Sequence, residues 1–351
     1  MDFIEIAGYK SIKEAKVELK PINILIGANG AGKSNFISFF EFLNNLYEQK
    51  LEEYVGLNGG VDKMLFQGQK ITQKIKAYLS FKNGLNAYEF VLQPGHDSFI
   101  FTSENLLYRG SPYNIQHYSP TSRLKTAGIP RARYIRSYLN QLKKYHFHDT
   151  GKNSPFNHLS SLQNDIYFLY EEGNNLAAFL FSIQEQYPKV YRRIIRMIQS
   201  IAPFFSDFFF HPNKVNLVRL QWTDKYSSTT YGATDLSDGT IRFIALTVLF
   251  LQPNLPETLI IDEPELGLHP TAIAKLAGMI KSVANRGTQV IIATQSSDLV
   301  SHFLPEDIIT IDQVDGESRF NRLQEDDLSA WLEDYSIGDL WKRNIISGGQ
   351  P

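Results

Sequence analysis

A chain of 351 residues can build one large or two ordinary domains around a substantial core, and 43% hydrophobic, 21% charged and 13% aromatic residues describe a folded globular protein, not a disordered one. No apolar run approaches the roughly 18 residues of a membrane helix, and Met1-Asp2-Phe3 opens a strand instead of a secretion signal, so no membrane partner and a cytoplasmic location are expected. The absence of cysteine excludes disulfides and thiolate metal sites, while a formal net charge of only −2 hides a segregation of charge taken up below.

In chain order, Phe3-Ile4-Glu5-Ile6 and Lys16-Val17-Glu18-Leu19 read as antiparallel strands that lead through Pro21 into the apolar strand Ile22–Ile26. Gly27-Ala28-Asn29-Gly30-Ala31-Gly32-Lys33-Ser34 follows, then a helix beginning at Asn35 and running with an i, i+3/i+4 stripe to about Tyr54. This is the G-x-x-x-x-G-K-[ST] spacing in its strand–loop–helix setting. Glycines 27, 30 and 32 let successive N–H groups, those of Asn29, Ala31 and Asn35 among them, turn toward a phosphate at the positive end of the new helix. Lys33 would reach the β- and γ-phosphates and Ser34 would hold Mg²⁺, so ATP and Mg²⁺ are the expected cofactors.

After a break at residues 56–60, alternating runs at Ile75–Phe81 and Asn86–Leu92 with a third near Phe99–Thr102 predict a small antiparallel sheet. Turn-rich sequence to Pro130 gives way to expected helices at Arg131–Tyr145, Asn175–Glu185 and Tyr187–Ser200. A strand at Asn216–Trp222, a helix at Ser237–Leu251, a buried strand at Thr258–Asp262, a helix at Ala272–Ala284 and a buried strand at Gln289–Ala293 predict a parallel sheet flanked by helices. Short strands at Ile308–Ile311 and Arg319–Leu323, a terminal helix and a Gly-Gly tail close the chain.

The charges are sorted into blocks. Between Arg109 and Lys152 lie nine Lys or Arg residues against one acid, Asp149, a net +8. Between Glu306 and Asp339 lie eleven acids against Arg319 and Arg322, a net −9. The basic block interleaves with tyrosines 108, 113, 118, 134, 138 and 145, a composition suited to phosphates and stacked bases, but equally to a solvated face or a complement to the acidic block.

The apolar run ending in Asp262-Glu263-Pro264-Glu265 is a Walker B pattern: Asp262 would share Mg²⁺ with Ser34, and Glu263 would position and polarise the attacking water. Upstream, Leu236-Ser237-Asp238-Gly239-Thr240 at a helix start offers a second anion site through the Ser237 hydroxyl and the N–H groups around Asp238 and Gly239. This set resembles the ABC-class ATPases of the RecF/SMC-like branch, above all the compact AAA_21 type with an OLD-like head. In that type Asp-Glu-Pro-Glu-x-Gly-Leu-His-Pro follows the strand, as residues 262–270 do here, and a switch follows the next strand, as Ala293-Thr294-Gln295-Ser296-Ser297 does here. The resemblance covers about residues 1–70 and 205–310.

The resemblance implies an α/β P-loop NTPase, an ABC/RecF-like ATPase head with a small antiparallel β-lobe and a helical insertion. The boundaries expected are 1–102 for a first ATPase lobe, 103–205 for a helical, basic insertion, and 206–351 for a second ATPase lobe with the acidic segment. It implies hydrolysis of ATP to ADP and phosphate in a homodimer whose signature closes on the partner's nucleotide. Gln295 stands at a switch position that is His in most ABC proteins, and His269 at a D-loop position usually Asp; weakened hydrolysis is expected from the first. Gln67 is the candidate Q-loop contact to Mg²⁺, with Gln69 or a plain surface role for Gln67 as alternatives. His146 and His148 would point the same way on an extended segment and could hold a metal with Asp149, or serve structure or nucleotide sensing. The function implied is a regulatory or sensor ATPase that controls a separate effector, such as a nuclease, in prokaryotic defence against phage or plasmids. The alternative is a RecF-like, DNA-binding ATPase of repair that uses the 109–152 basic segment.

Overall fold

The computed structural model describes residues 1–349 and divides into two compact units: Met1–Lys143 with the described part of Gln289–Pro351, and Lys144–Thr288. In the first unit, strands β1 (Phe3–Tyr9) and β2 (Ile12–Glu18) form a hairpin that feeds β3 (Ile22–Gly27), every residue of which is buried. Helices α1 (Lys33–Tyr47), α2 (Leu51–Leu57) and α3 (Val61–Met64) follow, then β4 (Ile75–Phe81), β5 (Asn86–Pro94), β6 (Phe99–Tyr108), β7 (Ser111–Gln116) and α4 (Pro130–Asn140). A short strand, β8 (Leu142–Tyr145), spans the division between the units.

The helix expected to run to Tyr54 stops at Tyr47 because Gln49 adopts a left-handed φ of 62°, which turns the chain before α2 resumes. The antiparallel sheet is larger than the sequence suggests. Its order is β2-β1-β4-β5-β6-β7, because β1 accepts β4 on the edge that β2 leaves open. Residues 111–116, read as turn, pair with β6; Pro112 fits because β7 is an edge strand and owes no further ladder bond. The helix expected over Arg131–Tyr145 ends at Asn140, and buried Leu142 and Tyr145 bound the strand that follows.

In the second unit, β9 (Ser160–Ser161) precedes α5 (Leu176–Gln186) and α6 (Pro188–Gln199), both within two residues of expectation. Then come β10 (Phe205–Phe208), β11 (Leu217–Val218), β12 (Gln221–Asp224) and β13 (Thr230–Gly232). The single strand expected over Asn216–Trp222 is thus two: β11 pairs with β9, and β12 joins the β10-β12-β13 sheet. Helix α7 (Asp238–Leu251), strand β14 (Thr258–Asp262) and helix α8 (Pro270–Ala284) complete the unit. α7 is buried continuously from Ile241 to Leu251, as a helix covered on every side must be.

The chain returns to the first unit with β15 (Gln289–Ala293), α9 (Ser297–Val300), β16 (Ile308–Val314), β17 (Glu317–Arg322), α10 (Glu325–Leu332) and α11 (Ile337–Lys342). β15 and β16 flank β3 in parallel, with Leu25 beside Ala293 and Gly27 beside Ile311. The loop after Gly27 therefore leaves the carboxyl end of an interior parallel strand, the usual place for ligands in such sheets. Aromatic packing fixes α1 behind it. Tyr9 meets Phe39 and Phe42 at 5.0 and 5.3 Å, and Phe36 meets Phe320 at 5.2 Å. Each such ring contributes about 1.5–3 kcal/mol by burial. Among the described residues no helix is long and apolar enough to cross a membrane.

Candidate nucleotide and hydrolysis site

The P-loop needs glycine for geometry. Gly30 and Gly32 have φ of 82° and 116°, and a Cβ on Gly32 would collide with Ser318 Oγ. Ser318, on β17, donates its hydroxyl proton to the Ala31 carbonyl at 2.6 Å, and its Oγ shares a second hydrogen bond with the Ser11 hydroxyl at 2.7 Å, so the β1–β2 turn, the loop and β17 are laced together. Asn35 belongs to the same lacing, its amide donating to Ser11 Oγ at 2.7 Å. The buried Lys33 ammonium lies inside the loop, donating to the carbonyls of Gly27 at 2.6 Å and Ala28 at 3.1 Å. Asn29, Gly30 and Ser34 are exposed, and nothing lies within 4 Å of where a Gly30 Cβ would be. A cation held under an open, backbone-lined loop fits a phosphate.

Two cavities of about 520 and 320 Å³ flank this loop. Gln295, exposed after β15, lines the smaller with Gly27, Ala28 and Asn29, which places the expected switch residue at the P-loop. Both are walled in part by Asn344, Gly348 and Gly349. The tail is held there by Trp341 Nε1 donating to the Gly348 carbonyl and by the Gly348 N–H donating to Asp312, each at 2.7 Å. The sequence offered only a Gly-Gly pair for this wall. Gln67, exposed at φ 54°, lies against the β16–β17 turn at Gly316 and lines neither cavity.

The second unit carries the other motifs. Ser237 caps α7, its hydroxyl accepting from the Thr240 N–H at 3.3 Å, and Ser237 and Asp238 are exposed. Gly239 is packed so closely on the Gly267 carbonyl that a side chain there would collide with it, which joins the signature to the D-loop. His269 caps α8, its Nδ1 accepting from the Thr271 N–H. Asp262 and Glu263 are half-buried at the end of β14, and Glu263 adopts a left-handed φ of 44°. Glu265, two residues on, is buried in the turn, where its carbonyl accepts from the Leu268 N–H.

His146 and His148 share a face, as their spacing suggests, with rings 4.2 Å apart. No group of three potential metal-ligating side chains occurs among the described residues. Instead His148 Nε2 lies 2.9 Å from the Asp262 carbonyl. The buried guanidinium of Arg242 donates to the carbonyls of Phe147, His148 and Leu266. Burial pulls Arg242 below the usual arginine range and Asp238 partly restores it.

The basic segment spends several charges within the chain. Arg109 and Arg131 lie over the Tyr108 ring, Arg131 donates to the Ser111 carbonyl, Arg136 to the Lys125 carbonyl, and Lys125 pairs with Glu48 at 2.6 Å.

Residues 22–301 match the AAA_21 family, described as "AAA domain, putative AbiEii toxin, Type IV TA system". The chain belongs to this family. No curated protein matches its sequence. In fold it is similar to the Smc head bound to the C-terminal winged-helix domain of ScpA, with a TM-score of 0.64 and 15% identity over 94% of this chain and 99% of that one. It is also similar to the Pyrococcus furiosus Smc head with an extended coiled coil bound to the C-terminal domain of ScpA, with a TM-score of 0.55 and 13% identity over 95% and 98%. This AAA_21 chain has the P-loop fold of an ABC-type ATPase head, and it is an ATP-using, ATP-hydrolysing enzyme.

Proposed function

We propose that this AAA_21 ATPase is a nucleotide-clamped homodimer that regulates a separately encoded effector, such as a nuclease, in prokaryotic defence against phage or plasmids. The observation that carries the clamp is the exposed start of α7, with Ser237 at its cap and Gly239 seated on the D-loop at Gly267. A helix start of this kind offers N–H groups and a positive dipole end to an anion. One P-loop and one signature per chain pair most simply between two chains.

Within each site, Lys33 and the amides of Gly27–Ser34 hold the β- and γ-phosphates, and Ser237 with Gly239 closes on the γ-phosphate of the partner. Ser34 and Asp262 are hard oxygen donors of the kind Mg²⁺ takes, with Gln67 the third candidate; the ion supplies charge neutralisation on the phosphate oxygens. Glu263 orients and polarises the attacking water, and Gln295 donates a hydrogen bond beside the γ-phosphate without changing charge.

A protein partner has two supports: the family description names a toxin, and both similar Smc heads were crystallised with a ScpA domain. The alternative, a RecF-like repair ATPase acting on DNA through residues 109–152, has less support because Arg131, Arg136 and Lys125 are engaged within the chain.

Light scattering of wild type and Glu263→Gln, with and without Mg-ATP, beside phosphate release, tests the clamp. A rise in mass with ATP that the substitution traps while turnover stops is expected. Unchanged mass with continuing turnover sinks the clamp.

A further inference from the structure

Asp262 contributes more than a carboxylate. Its carbonyl belongs to the peptide that joins it to Glu263, and rotation of that peptide about the N–Cα bond of Glu263 is the φ that stands at 44°. A non-glycine residue in this region is held there by its surroundings. The side chain at hand is His148, 2.9 Å from that carbonyl. A carbonyl only accepts, so His148 Nε2 carries the proton.

His148 is half-exposed, while its neighbour Phe147 is buried against Phe156, so the segment is anchored by the phenyl ring and the imidazole is free to serve another purpose than packing. Its backbone is fixed on both sides by one residue: Arg242 Nε donates to the Phe147 carbonyl at 2.9 Å and Nη2 to the His148 carbonyl at 3.1 Å. The remaining nitrogen, Nη1, donates to the Leu266 carbonyl in the D-loop. Arg242 stands on α7, one turn from the signature.

We infer that His148 is a positioning residue for hydrolysis: it clamps the Asp262–Glu263 peptide so that the Glu263 carboxylate is presented to water, and Arg242 ties this clamp to the signature helix. The inference rests on the reading of Glu263 as the water-orienting residue. It also makes the 147–148 segment the link by which closure of a partner's nucleotide on Ser237 reaches Glu263.

The test compares wild type, His148→Ala, His148→Gln and Glu263→Gln by kcat and KM for phosphate release, thermal midpoint, and binding of a fluorescent ATP analogue in EDTA. A nitrogen-15 spectrum of the wild-type imidazoles is recorded beside them. His148→Ala is expected to lower kcat about tenfold, equivalent to about 1.4 kcal/mol, with KM and analogue affinity unchanged. His148→Gln, whose amide donates from nearly the place of Nε2, is expected to return kcat to within about threefold of wild type. The spectrum should show His148 protonated on Nε2. Wild-type kcat in His148→Ala, an Nε2 without its proton, or equal losses in both variants with a lowered midpoint would overturn the inference. If His148→Ala does not fold, the Gln variant and the spectrum decide. A Glu263→Gln chain that still turns over sinks the glutamate reading itself; a dead Glu263→Gln beside an unimpaired His148→Ala sinks only the role of His148.

Discussion

The Lys33 ammonium donates to the Gly27 carbonyl at 2.6 Å, at the mouth of the same loop, so the cation that would meet phosphate is kept by the backbone that surrounds it. Charge-assisted bonds of this kind contribute about 1.5–3 kcal/mol. Lys33→Ala should therefore weaken an ATP analogue by at least tenfold in calorimetry while the fold persists. Lys33→Arg should fail as well, since a planar guanidinium cannot occupy the buried point position between the Gly27 and Ala28 carbonyls.

Two glycines of the loop should respond differently to a methyl group. Gly32→Ala forces a Cβ into Ser318 Oγ at a φ of 116°, and the Ser318 bonds to Ala31 and Ser11 must give way. Gly30→Ala adds a Cβ into open space at a φ of 82° and costs only the left-handed conformation, about 1–2 kcal/mol. Urea unfolding should rank Gly32→Ala well below Gly30→Ala. Equal midpoints would mean that the β17 contact contributes nothing to holding the loop.

What could be read from the sequence was local. The P-loop strand, its glycines, α7 with its cap at Ser237, β14 and β15 announce themselves through an apolar run and a fixed residue pattern, and the structure places them at or within a residue of those limits. The alternation of Tyr145, His146, Phe147 and His148 likewise foretold two imidazoles on one face. What stayed hidden was set by distant partners. Ser111–Gln116 looks like turn until Leu106 and Leu107 supply a ladder for Tyr113 and Pro112. The partner of His148 is 114 residues away, and a single long-range hydrogen bond leaves no periodicity to detect. The Gly348 tail became part of a cavity wall only through Trp341 and Asp312.

Glu104 provides a pH-dependent prediction. Its carboxylate accepts from Tyr88, Ser122 and the Arg123 N–H, yet burial outweighs these donors and pushes its pKa above the usual carboxylate value. A raised pKa in the folded state means the folded chain binds the proton more tightly than the unfolded one. The resulting stability is complete below the unfolded pKa and is lost as pH rises through the folded one. Glu104→Gln cannot titrate, so the melting temperature of wild type minus that of Glu104→Gln should fall as pH rises through that window. A difference that is flat, or that grows with pH, would show that the three donors, not burial, dominate.

The basic segment separates a structural use from a nucleic-acid one. A protein whose Arg131, Arg133 and Arg136 neutralise three phosphates should lose about three units of slope in log affinity against log salt when all three become alanine. Arg131, however, is committed to the Ser111 carbonyl and the Tyr108 ring, and Arg136 to the Lys125 carbonyl. The expectation is that the triple variant lowers the thermal midpoint by a few degrees, through exposed contacts each contributing about 0.5–1 kcal/mol, and leaves duplex DNA binding unchanged in fluorescence anisotropy at 50 and 200 mM salt. A salt slope that drops by about three with an unmoved midpoint would reverse the assignment and make residues 109–152 a DNA surface.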